Sequence, residues 1–357
     1  MRKNARLLTA SLAALGLFAA ACGGDDGGST SSEAPASSDA PASSDAPAAD
    51  GFIAGIAFDT GGRGDGTFND SAALGGECAA EATGAEIKEL EANVDEDRKA
   101  NLELLAGDGA GVIVGVGFMF TDPMGEVAAA NTGVTFGIVD SVVEAPNVRS
   151  LVFAEQEGSF LVGAAAALKS ESGIVGFIGG QEIDLIKKFE AGYAAGARYI
   201  NPDIEVKVAY LGPAGDNSAW GNVAGAKEIA SGWYGEGADI IYTAAGGSGA
   251  GTIQAAIEAD KWAIGVDSDQ YLTSGDPEAQ KHILTSMLKR VDVAVCETIK
   301  AVAGGDTSGG FKTFDLSNDG VGYATSGGYV DDIAAQLDEI KGKIVAGEIE
   351  VPTAPAS

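Results

Sequence analysis

The stretch FDTGGRGDGTFNDSA, residues 58 to 72, ends an apolar run and sets Asp59, Asp65, Phe68 and Asn69 among glycines. Glycines let backbone approach a bound molecule closely. An amide donates and accepts at once, a ring offers a face for stacking, and an ionised carboxylate makes hydrogen bonds about twice as strong as neutral groups do. This is recognition chemistry. Other apolar runs also end in glycine-rich or acidic loops: Gly117-Phe118 after GVIVGV, Asp140-Ser141 after VTFGIV, Gly179-Gly180 after GIVGFI, Ala245-Gly246-Gly247-Ser248 after ADIIYT, and Asp267-Ser268-Asp269 after WAIGV.

Bond-breaking chemistry is poorly provided. His282, the sole histidine, has no neighbouring cysteine or serine in a nucleophile motif, and GGSGAG at 246–251 fails the G-x-S-x-G elbow because Ala250 replaces the last glycine. No H-E-x-x-H, C-x-x-C or G-x-x-x-x-G-K-[ST] occurs, and GGRGDG lacks the G-x-G-x-x-G spacing. Neither a metal nor a cofactor is therefore called for. A hydrolase built on the paired carboxylates of Asp267 and Asp269 is the enzymatic alternative.

Positioning these loops falls to a regular alternation that starts at Gly51. The runs FIAGIAF (52–58), GVIVGV (111–116), VTFGIV (134–139), GIVGFI (173–178), IEVKVAYL (204–211), ADIIYT (238–243) and WAIGV (262–266) read as strands covered on both faces. Segments of helical spacing lie between them, at 68–82, 95–107, 122–131, 155–170, 182–200, 217–234 and 249–260. The class is α/β with parallel sheets. Ligands bind at the carboxyl-end loops of such sheets; so many loops exceed one crevice and suit two sheets whose carboxyl edges face each other.

The 357 residues suffice for two lobes and tails. A net charge of −30, spread along the chain, argues against nucleic acid as a partner. MRKNARLLTASLAALGLFAAAC joins Arg2, Lys3 and Arg6 to an apolar stretch, small residues and Cys22, which reads as a secretory signal at 1–21. Residues 22–50, with APASSD twice in succession, read as a disordered tether, and 352–357 as a tail. Cys78 and Cys296 fall on helices expected in one lobe, where they form a disulfide or remain two buried thiols.

FDTGGRGDGTFNDSA, AEQEGSFLVGAAAAL (154–168), VGFIGGQEIDLIKKFEAGYAAGAR (175–198), IGVDSDQ (264–270), ILTSMLKRVD (283–292) and VGYATSGG (321–328) resemble, in order, the signatures of the basic membrane protein family. These are lipoprotein substrate-binding components of ABC importers, related to purine nucleoside receptors. The resemblance implies a type I periplasmic-binding-protein fold, two doubly wound parallel-sheet lobes joined by a three-strand hinge, with lobe one at 51–153 plus 270–308 and lobe two at 154–269 plus 309–351. Ala19-Ala20-Ala21-Cys22 is similar to a lipobox, which implies a lipid anchor on Cys22 at the outer face of the cell membrane, with an ABC permease and ATPase as partners.

The resemblance also implies a nucleoside, in the first place a purine nucleoside, held in the cleft without catalysis, with no base preference legible in the residues. Phe68 and Asn69 match the family's Phe-Asn pair, Phe68 serving as stacking wall or as a staple for its helix; Asp59 faces the crevice. Asp140 reads the base edge or caps a helix. Phe189 is the opposing wall or, sharing a helical face with Tyr193 and Ala197, part of the core. Asp267 accepts from both ribose hydroxyls, and Lys289 reaches the ribose side or is a surface lysine. Gly117, Phe118, Gly246 and Gly247 line the cleft, and Trp220 is a further candidate wall. The same fold would also suit a sugar or furanose-like signal, or a nucleoside-processing enzyme.

Overall fold

The computed structural model describes residues 51–356; the signal, Cys22 and the tether read before Gly51 lie outside the described residues. The chain builds β1 (Ile53–Phe58), α1 (Phe68–Thr83), β2 (Glu86–Glu91), α2 (Asp95–Gly107), β3 (Val112–Val116), α3 (Thr121–Ala130), β4 (Thr135–Val139) and β5 (Val148–Phe153). There follow α4 (Glu155–Lys169), β6 (Ile174–Glu182), α5 (Asp184–Ile200), β7 (Glu205–Pro213), α6 (Val223–Gly235), β8 (Ile240–Ala244), α7 (Gly249–Ala259) and β9 (Trp262–Asp267). The rest comprises α8 (Gln270–Thr273), α9 (Pro277–Gln280), β10 (Ile283–Lys289), α10 (Val291–Ala303), β11 (Gly310–Phe314), β12 (Val321–Tyr323) and α11 (Ala334–Val345).

Two six-stranded sheets result, ordered β11-β5-β4-β3-β1-β2 and β12-β10-β9-β8-β6-β7. Every pairing is parallel except that of β10 with β12. Each sheet winds outward in both directions from its first strand, β1 or β6. Ligands of such sheets sit at the carboxyl ends beside the strand where winding reverses. This is the two-lobed type I periplasmic-binding-protein fold.

The lobe boundaries need correction. Strand β10, expected in lobe one within 270–308, pairs with β9 in lobe two, and β11, expected in lobe two, pairs with β5 in lobe one. The expected second crossing came directly after β9. Instead α8 and α9 carry the chain back so that β10 extends the same parallel sheet, and a parallel neighbour requires such a return. The chain therefore passes between lobes at Ala154, at Arg290 and between β11 and β12. These passages are tied side by side: Ala154 N donates to Phe314 O and Arg290 N to Gly320 O, both at 2.9 Å.

The central strands β3, β4 and β8 are buried at every position, as continuous apolar runs require. Edge strands β2 (EIKELE) and β11 (GFKTF) are largely exposed, which is why no apolar run marked them. In lobe two, α4 and α5 touch backbone to backbone: a Cβ on Gly192 or Gly196 would lie 2.1 or 2.0 Å from a carbonyl oxygen of α4. In lobe one α10 packs on α1, and Cys78 is bonded to Cys296 with 5.7 Å between their Cα atoms. The helix expected over 217–234 is broken: a 3-10 turn, Asn217–Trp220, precedes α6, whose cap is Asn222 accepting from Gly225 N at 2.9 Å.

Candidate functional site

The carboxyl edges of the two sheets enclose a cavity of about 290 Å³. Each ligand candidate read from the sequence lines it: Asp59, Phe68, Asn69, Gly117, Phe118 and Asp140 from lobe one, Phe189, Gly246, Gly247, Asp267 and Lys289 from lobe two.

The opening loop is folded by its own carboxylates. Asp65 accepts from the backbone N–H of Thr67, Asn69 and Asp70 at 2.9, 2.9 and 3.2 Å, and Asp70 accepts from Gly64 and Gly66 at 2.9 and 2.8 Å. The bonds to Asn69 N and Asp70 N satisfy donors that a helix start leaves open, and the others fix the loop that precedes α1. Asn69 Nδ2 also donates to Asp65, at 3.2 Å, which leaves Asn69 Oδ1 buried and without a partner at the cavity. Asp59 is placed differently from a free ligand-facing acid. Its Oδ1 accepts from Arg98 Nε at 2.8 Å and from Thr60 N at 2.7 Å, and the Arg98 side chain is 5% exposed. Burial raises the Asp59 carboxyl above its ordinary value, while Arg98 and the Thr60 N–H pull it down. Gly117 makes room for this pair: at φ 119° a Cβ there would stand 2.8 Å from Asp59 Oδ2. Nothing in the local sequence signalled Arg98, which lies in an ordinary charged helix start.

Asp140 and Asp267 end β4 and β9 in left-handed backbone, φ 65° and 62°. Aspartate tolerates that region better than most side chains, and such outliers gather at ligand sites. Lys289, at the end of β10, reaches across the gap to donate to Asp140 Oδ2, and both side chains are buried. It is not a surface lysine. Burial lowers the Lys289 ammonium, but the carboxylates of Asp140, Asp267 and Glu155 outweigh it and hold it above the usual lysine value. Asp267 is pushed up to about 7, chiefly by burial; Lys289 opposes the shift and Asp140, Asp65 and Glu155 add to it. Glu155, the first residue of α4, stands behind the cavity with Lys188 Nζ 3.2 Å away, and burial raises it too. As a helix-start acid it carried no mark of this role.

Phe68 and Phe189 approach one volume from opposite lobes: Lys289 Nζ lies 4.8 Å from one ring centroid and 5.7 Å from the other. Phe189 is at once wall and core, since it lines the cavity and belongs with Tyr193 and Ala197 to the main apolar cluster. Trp220 also lines the cavity and meets Phe118 of lobe one edge-on, ring centroids 6.3 Å apart. Besides Asn69 Oδ1, the lining residues leave Asp140 Oδ1, Asp267 Oδ1 and Trp220 Nε1 buried without a partner. Buried polar atoms are ordinarily paired. The site thus holds aromatic faces, three acceptors and one donor in want of a complement, and its apolar remainder comes from Leu185, Ile186 and Val266. The lobes are closed over it, with Ser268 Oγ on Thr67 O at 2.8 Å and Thr273 Oγ1 on Gly66 O at 2.9 Å. Among the described residues no cluster of His, Cys, Asp or Glu is placed to hold a metal ion.

Comparison with known proteins places this architecture. Residues 52–354 match the Bmp family, described as ABC transporter substrate-binding protein PnrA-like. The chain is 34% identical over 323 residues to the CD4+ T-cell-stimulating antigen of Listeria monocytogenes, covering 85% of this chain and 89% of that protein. It is 34% identical over 318 residues to the ABC transporter nucleoside-binding protein BmpA of Lactococcus lactis subsp. cremoris, covering 84% and 89%. A solved ABC transporter solute-binding protein from Aeropyrum pernix K1 superposes with a TM-score of 0.72 at 28% identity, over 85% of this chain and 94% of that one. The chain therefore belongs to the Bmp family of PnrA-like ABC transporter substrate-binding proteins.

Proposed function

We propose that this protein captures a nucleoside, a purine nucleoside by preference, in the closed cavity and delivers it to an ABC importer. The observation that carries the reading is the pairing of Phe68 and Phe189 from opposite lobes around a volume edged by the unpartnered oxygens of Asn69, Asp140 and Asp267. A flat base fills the space between two rings, and base–aromatic stacking contributes about 1–3 kcal/mol per base. Asn69 and Asp140 then face the hydrogen-bonding edge of the base. Asp267 accepts from the vicinal hydroxyls of the pentose, Lys289 supports the same end, and the Gly246-Gly247 turn brings backbone close to the ligand. A relative named for nucleoside binding supports the reading. Lobes that each contribute half of a site make their joint contacts only when closed, so ligand binding shifts an existing equilibrium, in which the empty protein also populates the closed form, further toward closure.

Delivery is supported by membership of a family of ABC transporter substrate-binding proteins. The lipobox-like segment and the tether would hold the domain on the outer face of the membrane through Cys22, within reach of a permease and its ATPase. Among the described residues no helix is long and apolar enough to cross a membrane.

Calorimetry on the purified protein with inosine, guanosine, hypoxanthine and ribose tests the assignment. Inosine or guanosine binds at least a hundredfold tighter than free base or free pentose, and incubation releases no base. Ribose binding as tightly as inosine would transfer the site to a sugar; release of base would make the protein an enzyme.

A further inference from the structure

We propose that Asn217 and Asp95 form a latch across the cleft, and that Arg98 ties this latch to the floor of the ligand cavity. The inference rests on the capture reading of that cavity. Asn217 opens the 3-10 turn of lobe two, and its Nδ2 donates to Asp95 Oδ1 of lobe one at 3.1 Å. The amide is oriented beforehand: Asn217 Oδ1 accepts from Gln181 Nε2 at 3.0 Å, and buried Gln181 is itself fixed by Gly215 N, which donates to its Oε1 at 2.9 Å. With its oxygen so occupied, Asn217 has its N–H groups left for the opposite lobe.

On the other side, Asp95 Oδ1 also accepts from Arg98 Nη1 at 2.7 Å. The same guanidinium grips Asp59 Oδ1 through Nε and Nη2, and Nη2 reaches Thr60 Oγ1 at 3.0 Å and Met119 Sδ at 3.2 Å. Asp59, Thr60 and Met119 all line the cavity. A ligand that orders this floor therefore holds Arg98, and through it Asp95, where Asn217 can bond. By linkage the engaged latch favours the bound ligand to the same degree. The latch turn moves with the cavity wall, because it ends in Trp220 and is bound to the Gly246-Gly247 turn by Ser248 Oγ, which donates to Ala219 O at 2.8 Å. Arg98 is thus a positioning residue, and Asn217 acts on release more than on encounter.

The test uses Asn217→Ala, Asp95→Ala and the double variant of the full chain, with inosine binding followed by stopped-flow tryptophan fluorescence. Each single change raises the dissociation rate about three- to tenfold, the effect of losing one rim hydrogen bond to a charged group, and leaves the association rate within about twofold. The double variant releases ligand no faster than the faster single one. Wild-type release in either single variant, or multiplied effects in the double, overturns the latch. A second arm needs no ligand: spin labels at Leu104→Cys in α2 and Val208→Cys in β7 report the distance between lobes. Asn217→Ala shifts that distribution to longer separations; an unchanged distribution refutes the latch. If the wild type binds no nucleoside and the shift is still seen, the nucleoside assignment falls and the latch stands.

Discussion

Asp267→Asn separates what the cavity does for binding from what it costs the empty protein. The Asp267 carboxyl is raised from 3.8 to about 7 in the fold. At about 1.36 kcal/mol per pH unit, ionising it in the unliganded protein costs on the order of 4 kcal/mol relative to the unfolded chain. The sign follows from proton counts. Between about pH 4 and pH 7 the folded state holds a proton that the unfolded state has released, so stability falls as pH rises through that window and levels off above it. Asparagine removes the titration, and Lys289 retains Asp140 as its ion-pair partner. The variant should therefore lose this slope, match the wild type near pH 4, and exceed it at pH 8 by a few kcal/mol, at most about 4 because the shift already includes the pull of Lys289, a rise of several degrees in Tm. Binding moves the other way: two charge-assisted bonds to the pentose become neutral ones, and affinity for inosine falls about 10- to 100-fold. Thermal unfolding across pH 4–8, paired with calorimetry at pH 8, reads both. A variant with the wild-type pH slope, or with undiminished affinity, refutes the reasoning.

Three further outcomes are expected. Phe68→Ala removes one stacking face and lowers nucleoside affinity about 5- to 150-fold by calorimetry, with less effect on free ribose. Lys289→Met leaves Asp140, Asp267 and Glu155 without their shared cation and destabilises the fold by about 3–5 kcal/mol in urea titration at pH 8; the loss shrinks toward pH 5 as Asp267 and Glu155, both raised by burial, take up protons, and a pH-independent loss would contradict the charge cluster. Reducing the Cys78–Cys296 bond, which spans a sequence separation of 218, lowers stability by about 2–4 kcal/mol; an unchanged urea midpoint under reductant would show that the packing of α1 against α10 suffices alone.

Much of this protein was legible in one dimension because burial on both faces writes continuous apolar runs. The central strands β1, β3, β4, β6, β8 and β9 declared themselves in that way, and with them the loops at their carboxyl ends. Where strand ends converge, residue type already implies chemistry, so Phe68, Asn69, Asp140 and Asp267 could be named from their places after a strand or at a helix start. Local pattern carries no record of partner choice. Strand β10 has the same character whether it pairs with one sheet or the other, and only the return through α8 and α9 assigns it to lobe two.

Contacts between distant segments were likewise decided by the tertiary structure. The hold of Arg98 on Asp59, the reach of Lys289 to Asp140 and the place of Glu155 behind them join residues 39, 149 and more than a hundred positions apart. Trp220 and Asn217 sit in a break in what reads as one helix, capped locally by Asp216 and Asn222, and the contacts of that turn with the glycine loop of lobe two and the rim of lobe one are made only in the fold. The sequence by itself determined which groups stand at the mouth of each sheet, since strand periodicity is local; which of them meet, and which charges they neutralise, was settled by two lobes closing on each other, a long-range balance of burial against charge.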